Sequence, residues 1–118
     1  MKMSDTYKKD KEAAKKSILK SVIGPIHGSR EYLKGALEYA SGHMGKYDGE
    51  IDRMAAMRED ARHARDMGDP KKFDKKTKEY GRYSARIARS LRLGYITSRA
   101  KAGAKEKAGH IEHEKAEA

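Results

Sequence analysis

The sequence predicts an all-α protein of about four helices, a helical hairpin or bundle completed by self-association. Three observations carry that expectation. Apolar residues recur every three or four positions over most of the chain, the period of an amphipathic helix. Turn and cap signals divide it, above all Gly24-Pro25, Gly68 and Asp69-Pro70. And apolar content is low: 14 Leu, Ile, Val and Phe residues in 118, short of the roughly 20% that a self-sufficient core usually needs. Helices with so thin a core are expected to complete it against a second subunit or a polyanion.

Residues 1–24 form the first expected unit, a basic helix capped by Asp5 or Thr6 and stopped by Gly24-Pro25. Tyr7, Ala14, Ile18 and Val22 share its apolar face, with Lys9, Lys16 and Lys20 almost opposite. Residues 25–68 form the second, a helical hairpin serving as the packing module, since its charges nearly balance. Ser29 is a good N-cap for a helix burying Leu33, Ala36, Leu37, Ala40 and Met44, ended by Gly42, Gly45 or Asp48-Gly49. A further helix starts at Asp48, buries Ile51, Met54, Met57, Ala61 and Ala64, and closes at Gly68. Gly28, Gly35, Gly42 and Gly49 are spaced seven apart. Gly35 and Gly42 leave open a continuous helix whose glycine side admits a close neighbour, because glycine inside a helix costs about 1 kcal/mol and needs a reason.

Residues 69–101 are expected to be a long basic amphipathic helix. Asp69 caps it, Pro70 occupies its first position, and Gly94 marks a stop or kink near Leu93. Phe73, Tyr80, Ile87, Ala88 and Leu91 gather on one side. Lys71, Lys75, Lys78, Arg82, Arg86 and Arg89 fall opposite, within an arc of about 80° at the helical step. This segment carries most of the chain's net charge of +10. Residues 102–118 are a polar tail.

Function is read mainly from that cationic face. A solvated face normally interleaves both signs, whereas this one has only Glu79 near its centre, and like charges at i,i+4 destabilise a helix unless something neutralises them. Arginine, whose fork suits phosphate oxygens, replaces lysine from Arg82 onward. The expected partner is nucleic acid, double-stranded DNA before RNA. The expected contacts are Lys71, Lys75, Lys78, Arg82, Tyr83, Arg86, Arg89, Arg92 and Arg99, with Lys9, Lys16 and Lys20 from the first helix. Tyr83 lies on the flank, placed to bond a phosphate or stack on a base. The chain has no Asn and no Gln, the residues that read adenine, so binding is expected to ignore sequence.

The alternatives are a basic protein of structured RNA such as the ribosome, a module docking an acidic protein, and an amphipathic helix on anionic lipid. No enzyme, cofactor or metal site is expected. Cysteine is absent, no phosphate-cradling loop precedes a helix, and His27, His43 and His63 are isolated. His110 and His113, one turn apart with carboxylates beside them, are weak candidates for a loosely held divalent metal. No apolar run spans a bilayer and no secretory leader is seen, so an intracellular (nucleoid-like) or virion location is expected. The absence of Asn, Gln and Cys at 39% charged residues matches a thermophile's composition.

One stretch is similar to a known family. Tyr80, Tyr83, Arg86, Ile87, Ala88, Arg89 and Leu91 resemble a Tyr-x-x-Tyr-x-x-basic-Ile-Ala-Arg-x-Leu run in the major coat proteins of rod-shaped and filamentous archaeal viruses. The resemblance implies small helical subunits that pair, wrap double-stranded DNA along a filament and hold it in A form.

Overall fold

The computed structural model describes the backbone of residues 4–117 and the side chains of residues 4–102. It is all-α: α1 (Asp5–Ile23), α2 (Arg30–His43), a 3-10 turn (Met44–Tyr47), α3 (Asp48–Asp66) and α4 (Pro70–Glu117). The cap of α1 is not Asp5 or Thr6. Ser4, in extended backbone, accepts the Tyr7 amide at 3.2 Å, which leaves Asp5 in the first turn to complement the helix dipole. Ser29 caps α2 in the same way, and Asp69 caps α4 through the Lys72 amide, with Pro70 as its first residue.

The middle segment does not fold back as a hairpin. α2, the 3-10 turn and α3 follow one another as a single bent helical run, and the sequence supplies nothing to reverse it. Gly42, Gly45 and Gly49 keep negative φ. Among the described residues only Gly68 adopts a left-handed φ, of 73°. There the Asp69 amide reaches back to the Ala64 carbonyl and the chain turns into α4. Nor does Gly94 stop the last element, because α4 passes through it and continues to Glu117. At 1.5 Å per residue its 48 residues span about 72 Å, which accounts for the 76 Å long axis of the molecule.

Contacts set the directions. Tyr80 lies under Arg58 of α3, while Tyr95 packs on Tyr32 and Tyr39 of α2. α4 therefore runs antiparallel to the bent α2–α3 run. Ser17 and Ser21 of α1 meet Ser84, and Ser21 also receives Arg92. α1 is thus parallel to α4, and the fold is an up-down-up bundle.

The core holds Ala14, Ile18 and Val22 of α1, Ala36, Ala40 and Met44 from α2 and the turn, Ile51 and Met54 of α3, and Ile87, Ala88, Leu91 and Tyr95 of α4. Alanine at four of these positions brings the helix axes close, and tyrosines seal the margins: Tyr32, Tyr39, Tyr47, Tyr80 and Tyr83 pack against the core. Gly35 and Gly94 receive reciprocal contacts. A Cβ at Gly35 would collide with the Tyr95 hydroxyl, and one at Gly94 with that of Tyr39, so each helix opens a notch for the other's tyrosine. Gly42 faces open space.

Candidate nucleic-acid interface

Because the core takes one side of α4, the opposite side is left to solvent. Lys71, Lys75, Lys78, Arg82, Arg86 and Arg89 are all exposed. From first to last the row rises about 27 Å. None of the six takes part in an ion pair among the described residues. Lys76, one residue along on the bundle-facing flank, bridges Asp60 at 3.6 Å and Glu79 at 3.9 Å. Five successive like-charge neighbours on one helix face cost about 0.2–0.5 kcal/mol each in isolation. Packing of Ile87, Ala88 and Leu91 on the other side holds the helix against that repulsion.

Tyr83 is half-buried against the core, with the Arg86 guanidinium 4.6 Å above its ring. Stacking on the ring orients Arg86, so Tyr83 acts here as a platform for a cation. Met57, Glu79, Arg82, Tyr83 and Arg86 line an open cleft of about 430 Å³ beside the row.

The remaining expected contacts are placed differently. Arg92 is partly buried and donates to the Ser21 carbonyl, pinning the end of α1 to α4. Arg99 lies over Tyr32 and Tyr95, 4.8 and 5.8 Å from their centroids, and donates to the Tyr95 hydroxyl at 3.1 Å. That bond holds its guanidinium pKa above the usual value. Lys9, Lys16 and Lys20 are exposed on α1. Lys16 borders a groove formed with Ser41, Met44, Gly45 and Asp48, whose lining includes no α4 residue. The structure therefore brings the six row residues together, ties Arg92 and Arg99 into the bundle, and leaves Lys16 on another side.

A second charged cluster went unread in the sequence. Asp10, almost fully buried, accepts two hydrogen bonds from Arg62, at 2.8 and 2.7 Å, and one from Arg58 at 3.1 Å. Those bonds, the Arg62 pair foremost, hold its carboxyl below the usual range against the opposing effect of burial. Nearby, Asp52 accepts from the Tyr7 hydroxyl and bridges Lys11 at 3.1 Å, so its pKa is lowered while those of Tyr7 and Lys11 are raised. The legible signal was Asp10 standing in register with Ala14 and Ile18 on an apolar face, where a carboxylate persists only if paired.

Among the described residues no group of three His, Asp or Glu side chains is arranged to hold a metal, and no helix is long and apolar enough to cross a membrane. His43 stacks on Tyr39 at 3.9 Å, a packing role, while His27 and His63 are exposed. His110 and His113 lie outside the described side chains. Comparison of the chain with protein-family models, with curated proteins and with solved structures found no match.

Proposed function

We propose that this protein binds nucleic acid without reading sequence, double-stranded DNA in preference, and that its role is structural: packaging, coating or compacting. The observation that carries this reading is the row of six exposed cations on α4, unpaired within the described residues. Phosphates would remove the repulsion the row sustains and release counterions in doing so. A helix of this length fits a stiff duplex, whose backbone presents charge over a comparable distance. Aromatic platforms, which single-strand binders use, are turned inward here: the tyrosines pack on the core, and Tyr7 is bonded to Asp52. Subunits that pair along the duplex, as the likeness of residues 80–91 to viral coat proteins implies, are one form of this role. Chromatin-like compaction is another.

The test is a titration of the protein with duplex DNA and then duplex RNA at several salt concentrations. Circular dichroism follows nucleic-acid form and anisotropy follows affinity. The expected outcome is tighter binding to DNA with a log–log salt slope of about −5, from six phosphate contacts. Preference for RNA would move the role to structured RNA. No binding to either at low salt would refute the reading and direct the search to an acidic protein.

A further inference from the structure

The outward row of α4 does not end at Arg89. Continued at the same three- and four-residue steps, it reads Lys71, Lys75, Lys78, Arg82, Arg86, Arg89, Leu93, Ile96, Ala100, and all nine positions are exposed. Its chemistry changes from cationic to apolar within one turn. Leu93 is 54% exposed and Ile96 49%, two of the three large hydrophobic residues left in solvent among the described residues. Scattered exposed apolar side chains need no explanation. These two are one turn apart, in register with the cations, in a chain that has few Leu or Ile to bury. Leu93 stands about 6 Å along the axis beyond Arg89, and Ile96 about 10 Å.

We propose that Leu93 and Ile96 form a wedge that enters the minor groove beside the phosphates met by Arg86 and Arg89, unstacks a base step and bends the duplex. The inference rests on the duplex-binding reading above. Leu and Ile are among the side chains that architectural proteins insert between base steps, kinking the duplex by about 20–90°. Insertion requires phosphate contacts close by to offset unstacking, and the row supplies them. It also requires a narrow ridge, since the minor groove is only about 6 Å wide. Here Ser90, Thr97 and Ala100 are small, Arg92 and Arg99 are drawn off onto Ser21 and onto Tyr32 and Tyr95, and Arg89 belongs to the row itself, so the two side chains are left open. The helix beneath is fixed by Tyr95 and Leu91 in the core, and the wedge cannot recoil. An anionic bilayer is the weaker match, because two aliphatic side chains offer little area to insert.

The experiment uses the full chain and a 30-base-pair duplex with a fluorophore at each end, alongside a second duplex carrying internal 2-aminopurine. Wild-type protein is expected to shorten the end-to-end distance and brighten the 2-aminopurine. The L93A/I96A variant, altered only at exposed positions and checked for unchanged helicity, should bind within about threefold of wild type and leave the duplex straight and stacked. Leu93→Lys should bind at least as tightly as wild type, again without bending. Wild-type binding without bending, or bending that L93A/I96A retains, would overturn the wedge and leave the phosphate row standing. Absence of duplex binding at low salt would overturn both. If L93A/I96A lost only its association with phosphatidylglycerol vesicles while bending the duplex normally, the two residues would belong to lipid, and the wedge would again be overturned.

Discussion

Where α1 meets α3 the charges are closed: Asp10 is held by Arg58 and Arg62, and Asp52 by Tyr7 and Lys11. Along the outward row of α4 they are open, six cations of which none forms an ion pair among the described residues. Both regions are rich in Lys and Arg, so composition does not separate them. Geometry does. In the first the acids arrive from a neighbouring helix, and α1 is fastened to α3. In the second no neighbour covers the face, and the charge is left for something outside the fold. The cations of one region stabilise the bundle; those of the other cost it stability and are available for binding.

The sharpest way to break that comparison is to reverse the open charges. R82E/R86E/R89E should fold as the wild type does, since all three side chains are exposed, yet bind duplex at least about a hundredfold more weakly at moderate salt. Loss of helicity in the variant instead would mean that the row stabilises the bundle and would erase the distinction.

The converse change opens the closed region. Asp10→Asn removes the anion and leaves two guanidiniums facing a neutral amide. Breaking a buried pair costs about 3–5 kcal/mol. Arg58 and Arg62 keep partial access to water, so about 2 kcal/mol is expected, a drop of about 10 °C in Tm. Duplex affinity measured below both melting transitions should stay within about twofold. Equal Tm values for variant and wild type would show that the cluster does not contribute to stability.

Acid probes the same cluster without mutation. The Asp10 and Asp52 carboxyls lie below their ordinary values in the folded protein. Their contribution to stability is therefore complete above the unfolded carboxylate range near pH 4 and is lost as pH falls through the depressed folded values. Melting curves from pH 7 down to pH 2 should show Tm declining below about pH 4, with a smaller decline in Asp10→Asn. A wild-type Tm that did not change over that range would contradict the assigned ion pairs.

Much of this was legible in the sequence, and what was not has physical causes. The apolar period placed most of the buried faces, though Leu33, Leu37, Met57 and Ala61 are only half-buried at the margins of the bundle. Ser29, Gly68, Asp69 and Pro70 marked boundaries that the structure bears out, because each acts through its own backbone. The hairpin expected for residues 25–68 failed because glycine permits a turn without compelling one. Gly42, Gly45 and Gly49 sit in helical backbone once the bundle requires a continuous run. Gly94 was misread as a break for the same reason: its role, a notch for Tyr39, depends on a residue 55 positions away in the chain. Of the candidate contacts, the row followed from periodicity alone. The engagement of Arg92 with Ser21 and of Arg99 with Tyr32 and Tyr95 comes from tertiary contacts that no local pattern encodes.

The finest discrimination lies between two adjacent lysines. Lys75 belongs to the open row, whereas Lys76 is turned 100° toward α3 and shared between Asp60 and Glu79. By sequence they are interchangeable, and a binding mode driven by net charge would treat them so. If phosphates meet the row, Lys75→Ala removes one contact, weakening duplex binding about three- to fivefold and making the salt slope shallower by about 0.9. Lys76→Ala removes the same formal charge but frees two carboxylates on the far flank. Its slope should be unchanged and its affinity within about twofold of wild type. Parallel salt titrations of the two variants decide the matter: equal losses would mean that the ligand responds to overall charge, and unequal losses in the stated order would locate binding on one side of one helix.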